Sequence, residues 1–278
     1  MAEPVGRARR TLSRAPLALV VVVGLPLLVL LGAGPTPPAL DAARLSTTAG
    51  APGGHEVLAL GDSVPSGYAC DCAPFPVTYG ARLGARTGGQ VTVDNEAVDG
   101  SDTADLIDEL GTLALQEAVR RSDIVLLTIG ANDFGDHLDD VVGGGCTAGE
   151  GDCVADELAT LGQNLDTVLD TIRSLRAGRP TTVLVTGYWN VFEDGEVGLD
   201  AYGADGLDNA RTLTCRANAV ISAAVTAAGA QYVDLFGPFQ DAGRDITSLI
   251  ADDGDHPDAA GHDVIAGALL AAGTPRLG

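Results

Sequence analysis

Asp123-Ile124-Val125-Leu126-Leu127-Thr128-Ile129-Gly130, followed at once by Ala131-Asn132-Asp133, is the stretch on which the fold reading turns. It is apolar almost throughout, so both of its faces suit burial, the mark of an interior strand in a parallel sheet. Working outward, Val57-Leu58-Ala59-Leu60 ending at Gly61, Val91-Thr92-Val93, Thr181 to Thr186 and Gln231 to Leu235 repeat that profile. Between them lie helical patterns: an acidic stretch from Ser101 to Arg121, an amphipathic one from about Val154 to Ala177, another from about Asp208 to Ala228, and a closing one from about Pro257 to Ala272. The second carries Leu158, Leu161, Leu165, Val168, Leu169 and Ile172 on one side. Apolar strands separated by helices predict an α/β fold with a parallel sheet covered on both faces. Ligands of such sheets sit at the carboxyl ends of the strands.

The chain has 278 residues, enough for one fair-sized domain and an appendage. With 46% hydrophobic and 19% charged residues it is neither disordered nor a multi-span membrane protein. The 16 basic residues are all arginine, against 38 acidic ones, for a net charge of −22. A phosphate backbone needs cations to neutralise it, so nucleic acid is excluded as a partner, and anionic lipid headgroups are disfavoured on the same ground.

Residues 1–43 read as a signal peptide or N-terminal membrane anchor. Arg7, Arg9, Arg10 and Arg14 lead into an apolar run from Leu17 to Ala33, and Gly34-Pro35-Thr36-Pro37-Pro38 then stops any helix. A run of about 17 residues lies at the lower limit for a membrane span, so cleavage and anchoring are both open. Residues 44–54 read as a linker and 55–278 as the folded domain. In either case the domain is exported, secreted or held at the cell surface. Five cysteines, at 70, 72, 146, 153 and 215, fit an oxidising compartment. Cys146 and Cys153 bracket a Gly-rich loop and are the easiest pair to close. Cys70 and Cys72 are close enough in sequence that a mutual bridge is expected to be strained, so one of them is expected to reach Cys215, leaving one free thiol. No Cys-x-x-Cys is present and the histidines are not at ligand spacing, so no metal site is expected.

Ser63, in Gly61-Asp62-Ser63-Val64-Pro65-Ser66-Gly67, lies just beyond the first strand. It reads either as a helix N-cap or as a nucleophile. A serine hydroxyl attacks only if a base takes its proton, and the base needs a third group to hold its tautomer. Asp253-Gly254-Asp255-His256-Pro257 places a carboxylate three residues before a histidine, so Asp253 and His256 are candidates for those roles. The same acidic stretch can also be read as a solvated, helix-capping run or a calcium loop, although the EF-hand ligand order is absent. Asn132, in Gly130-Ala131-Asn132-Asp133, reads as a turn former or as a side-chain donor to an oxyanion. Gly100 offers a backbone N–H with no Cβ in the way of a substrate.

Taken together, GDSVPSG at 61–67, the glycine of NEAVDGS at 95–101, GAND at 130–133 and DGDH at 253–256 resemble the four sequence blocks of the SGNH (GDSL-type) hydrolase superfamily, in order. The resemblance covers about residues 55 to 273. It implies a flavodoxin-like three-layer α/β/α sandwich and a serine esterase or lipase working through an acyl-enzyme. Ser63 would be the nucleophile, His256 and Asp253 its partners, and Gly100 and Asn132 would join the Ser63 N–H as oxyanion hole. No cofactor is implied. The G-x-S-x-G elbow of the other large α/β hydrolase family is absent, because position 65 is Pro.

For the substrate, the loops 134–153 and 187–207 flank the expected site. Tyr188, Trp189, Phe192 and Tyr202 are candidates to line an acyl or sugar pocket, with ordinary packing as the alternative. A short-to-medium acyl ester is the expected small-molecule substrate, with lipid esters and carbohydrate O-acetyl esters next. Acyl transfer by the same triad and an inactive cell-surface binding module are the alternatives. The domain is expected to act as a monomer.

Overall fold

The computed structural model describes residues 54–273 apart from 147, 150 and 242–244. The expected signal or anchor (1–43) and, save Gly54, the expected linker (44–54) lie outside the described residues. Along the chain run β1 (His55–Gly61), α1 (Ser63–Ser66), α2 (Phe75–Thr87), β2 (Val91–Asn95), α3 (Thr103–Leu110), α4 (Leu113–Arg121) and β3 (Ile124–Thr128). A 3₁₀ turn (Asn132–His137), α5 (Leu138–Val142), α6 (Ala155–Leu175), β4 (Thr182–Thr186) and α7 (Gly195–Ala227) follow. The chain then runs through β5 (Gln231–Val233), α8 (Phe236–Phe239), a second 3₁₀ turn (Ile246–Leu249) and α9 (Ala259–Ala271).

All strand pairs are parallel, in the order β2-β1-β3-β4-β5, with Val57 opposite Ile124 and Ile124 opposite Thr182. β3 is buried at every position, as an apolar strand between two helical layers must be. α2 packs on α9 on one face, while α3, α4 and α7 pack on α6 on the other. This is the three-layer, flavodoxin-like α/β/α fold. Strand order reverses between β1 and β3, which opens a crevice at their carboxyl ends. Gly61 closes β1 there: its φ is +127°, and a Cβ would lie 1.8 Å from the Thr128 carbonyl oxygen, so only glycine fits.

Several elements depart from the sequence reading. The stretch Ser101–Arg121 forms two helices, because the chain turns at Gly111 and Thr112 restarts it, accepting the Leu115 N–H on its hydroxyl. The helix expected from Asp208 begins at Gly195 and breaks at Gly203, whose φ of 68° and ψ of 177° no helix allows. α2 was not anticipated, since its start holds Pro74 and Pro76; proline is tolerated in a first turn, where the N–H is unused.

The disulfide expectation for Cys70 and Cys72 needs correction. They bond to each other, with Cα atoms 5.1 Å apart, and Cys215 is a free, exposed thiol. Cα atoms two residues apart are spaced by the φ/ψ of the residue between them, and the chain bends at Asp71, which brings the two cysteines within bridging distance. Cys215 faces outward on α7, whose buried side carries Leu213, Thr214, Ala217 and Asn218. Cys146 pairs with Cys153.

His262, 1% exposed, performs a task that Pro74 cannot. Pro74 offers α2 no side-chain cap, and the His262 Nδ1 accepts the otherwise unpartnered Phe75 N–H at 3.1 Å. Only a neutral ring has that lone pair, and burial pushes its pKa from the ordinary 6.5 down to about 4, against an upward pull from Asp258. Between those values the unfolded chain holds a proton that the folded chain refuses. This contribution is therefore intact above pH 6.5 and lost as pH falls toward 4, by up to about 3 kcal/mol. The Asp62 carboxyl, pushed up to about 7, acts with the opposite sign over the same range, so the comparison must be with a variant. His262→Gln keeps an acceptor and loses the proton. In urea unfolding, its stability relative to wild type should improve by up to about 3 kcal/mol between pH 7.5 and pH 4.5. A pH-independent gap would mean that another group dominates.

Candidate active site

Ser63 is the first residue of α1, a single turn placed directly after β1. Its Oγ lies 2.8 Å from His256 Nε2, and His256 Nδ1 lies 2.8 Å from Asp253 Oδ2, joining residues 193 positions apart. Burial would raise the Asp253 carboxyl, but N–H bonds from Asp255 (3.0 Å) and His256 (3.1 Å), together with the His256 ring, outweigh it and hold it below the usual carboxylate range. An ionised Asp253 can only accept, so Nδ1 carries the ring proton and Nε2 is left to accept from the Ser63 hydroxyl. A hydroxyl hydrogen-bonded to a base that a carboxylate orients is the arrangement an activated nucleophile requires.

The loop that carries Asp253 and His256 is tied down from α7. Asp194, fully buried, accepts from Gly195 N (2.7 Å), Arg211 Nη2 (2.8 Å), Gln240 Nε2 (2.8 Å) and Asn190 Nδ2 (3.2 Å). Its own N–H donates to the Gly254 carbonyl at 2.8 Å, in the turn between Asp253 and His256. Four donors compensate the buried charge, which makes the anchor rigid.

The ends of β2 and β3 supply the donors. Asn132 Nδ2 donates to the Ser101 carbonyl at 2.8 Å, which fixes the amide plane and leaves its second N–H for the cleft. The neighbouring Asp133 accepts from the N–H (3.1 Å) and hydroxyl of Thr103, locking the loop after β2 to the loop after β3. Gly100 has φ +79° with nothing within 4 Å of a Cβ position, so the left-handed backbone is what calls for glycine there. Among the described residues, no protein acceptor takes the N–H of Ser63 or of Gly100.

A cleft of about 320 Å³ is lined by Ser63, Tyr68, Asp99, Gly100, Asn132, Asp255 and His256. Tyr68, half-exposed, sets its ring edge-on to His256 at 4.8 Å between centroids. Asp255 brings a second carboxylate to within 3.9 Å of His256 Nε2. Tyr68 was not singled out in the sequence, though it follows the Ser63 block directly, and Asp255 was read only as part of the acidic run. A hollow of about 30 Å³, bordered by Tyr188, Trp189 and Val191, adjoins Ser63 and His256. A larger one of about 490 Å³ lies near the amino ends of β4 and β5 and touches none of these residues.

The loop aromatics are packed into the interior, the alternative to lining an acyl or sugar pocket, although Tyr188 and Trp189 also border the small hollow beside Ser63. Tyr188 and Trp189 are each 1% exposed and Phe192 is 6% exposed. Trp189 stacks on Phe239 at 4.3 Å, and Tyr188 donates its hydroxyl to Asp62. Phe192 borders neither the cleft nor the small hollow. Tyr202 donates to Glu193. Tyr188, Trp189 and Phe192 are drawn inward because the segment after β4 packs against α7 and α8, and their apolar area is best used there.

Residues 59–264 match the model of the GDSL-like lipase/acylhydrolase family. Among solved structures, the chain is similar to the lipase Lip_vut3 from a goat rumen metagenome, with a TM-score of 0.66 and 19% identity over 81% of this chain and 100% of the other. Phospholipase A1 from Streptomyces albidoflavus NA297 gives 0.54 and 26% identity over 78% and 97%. An extracellular lipase from Streptomyces rimosus gives 0.56 and 24% over 79% and 100%. The likeness at 19% and 24% identity bears on the fold alone. No curated protein matches the chain.

Proposed function

The chain belongs to the GDSL-like lipase/acylhydrolase family and is an ester hydrolase, and from that premise we propose that Ser63, His256 and Asp253 are its catalytic triad, acting on short-acyl esters of uncharged alcohols. The single observation that carries this is the unbroken line from Ser63 Oγ to His256 Nε2 and from His256 Nδ1 to Asp253, each link 2.8 Å. Ser63 attacks the carbonyl as His256 takes its proton. The Ser63 and Gly100 N–H groups and the Asn132 amide receive the charge that develops on the carbonyl oxygen. His256 then returns the proton to the departing alcohol, and water releases the acyl group by the same route.

The choice of substrate follows from the walls of the cleft. Among the described lining residues there is one phenol ring and no aliphatic side chain, and the adjoining hollow has room for about one water-sized group. Each buried methylene gains only about 0.8 kcal/mol where it has apolar surface to meet, so long acyl chains gain little here. Asp99 and Asp255 face the cleft with no arginine among its described lining residues, which disfavours anionic esters. O-acetylated neutral carbohydrate and small acetyl esters fit both conditions. The N-terminal segment 1–43 serves as signal or anchor in this reading, and the two disulfides support an oxidising, exported setting.

A panel of acyl esters from acetyl to long-chain nitrophenyl, with acetylated sugars, tests this on wild type and Ser63→Ala. Acetyl esters should give the highest kcat/KM. At low salt, 3-acetoxybenzoate should fall at least about tenfold below phenyl acetate. A maximum at long acyl chains, or no preference against the anion, would reject the substrate class while leaving the triad standing.

A further inference from the structure

Asp62 is 1% exposed and immediately precedes Ser63. Its Oδ1 accepts the Val64 N–H at 2.9 Å, capping α1, and its Oδ2 accepts the hydroxyl of Tyr188. α1 spans only four residues, too few to hold its own geometry, so the turn that presents Ser63 depends on this cap. Tyr188 is in turn gripped by the backbone. Its N–H donates to Asn218 Oδ1 at 2.9 Å, and Asn218 Nδ2 donates back to its carbonyl at 2.8 Å. Asn218 belongs to α7, so a hydrogen-bonded line runs from that helix, through the end of β4 and past β3, to the nucleophile's turn.

We propose that Tyr188, its backbone held by Asn218, is a positioning residue: its hydroxyl orients the Asp62 carboxylate, and through it the turn that aims Ser63 Oγ at His256. The inference rests on Ser63 being the nucleophile. It accounts for a ring of this size being buried directly behind the site, and for a carboxylate being kept there. The groups that act on Asp62 are Tyr188, the Val64 N–H, His256 and Asp255, and Asp133 acts on the Tyr188 hydroxyl. Burial pushes the Asp62 carboxyl up to about 7, whereas the Tyr188 hydroxyl, the Val64 N–H and His256 pull it down. The ionised carboxylate is the form that accepts both bonds. Removing the hydroxyl therefore leaves Asp62 protonated to higher pH.

The test is Tyr188→Phe, compared with wild type on 4-nitrophenyl acetate from about pH 5 to about pH 9.5, with thermal melting to confirm folding. At neutral pH kcat should fall about 10- to 50-fold with KM within about twofold, and the rising limb of kcat should move up by about one pH unit. Asp62→Asn keeps the shape and removes the proton, so adding Tyr188→Phe to it should not move the limb further. Wild-type kcat in Tyr188→Phe, a loss of kcat with an unmoved profile, or a variant that does not fold would each overturn the assignment. Absence of any Ser63-dependent hydrolysis by wild type would instead sink the reading of Ser63, and this inference with it.

Discussion

Ser63→Ala is expected to lower kcat on a short acetyl ester by about 10⁴- to 10⁶-fold, the largest effect of any single substitution in this chain. The substitution removes one oxygen and leaves the backbone intact, including the Ser63 N–H and the Asp62 cap on Val64. His256 keeps its bond to Asp253 but has no hydroxyl to deprotonate, so an unpositioned water must attack in its place. What remains should be the contribution of the oxyanion donors and binding, about 10³-fold over water. The check is twofold: steady-state rates on the purified variant, and labelling by a serine-reactive phosphonate with peptide mapping. Wild type should label within the peptide that holds Ser63, and the variant should not label at all. Hydrolysis retained within about tenfold would require another nucleophile and end the triad assignment.

Asn132→Ala should cost about 10²- to 10³-fold in kcat while leaving KM nearly unchanged. The amide donates one N–H to Ser101 at 2.8 Å, so its plane is set before substrate arrives, and such preorganised donors act on charge that appears only in the transition state. A purely structural role would look different. The loops after β2 and β3 remain joined through Thr103 and Asp133 when Asn132 is truncated, so folding and melting temperature should change little. Equal losses in kcat and stability, or an unchanged kcat, would take Asn132 out of the oxyanion hole.

Much of the fold is readable before any coordinates because burial leaves a direct mark on composition. β3 between two helical layers has to be apolar on both faces, and Ile124 to Thr128 is. α6 shows its inward stripe as Leu161, Leu165, Val168, Leu169 and Ile172, at helical spacing. Boundaries set by backbone conformation are harder to read. The break at Gly203 and the restart at Thr112 depend on local dihedrals and a side-chain cap, whereas Gly80 and Gly84 lie inside α2 and Thr167 and Thr171 inside α6 without interrupting them. The Cys70–Cys72 bridge was missed for the same reason, since it depends on a bend at Asp71 that composition does not signal.

The candidate site divides along similar lines. Ser63 and Asn132 stand out because each follows a strand in a short, recognisable block, and the Asp253–His256 pair because a carboxylate stands three residues before a histidine. Tyr188, Trp189 and Phe192 stand out as aromatics in a flanking loop, but a linear pattern does not say whether a loop ring turns toward the cleft or the core. The cap expected at Ser63 is supplied by Asp62 instead, and its second oxygen holds the Tyr188 hydroxyl, which no local pattern signals. By itself the sequence determined the parallel sheet, its helical cover and the residue types available at the strand ends, because those follow from periodicity and from the chemistry of single side chains. Only the tertiary structure decided that Ser63 Oγ and His256 Nε2 stand 2.8 Å apart, that Tyr188 lies behind the nucleophile and that Asp99 and Asp255 face the cleft. Those are distances between residues remote in the chain, set by how the crossovers pack on the sheet, and no local pattern encodes them.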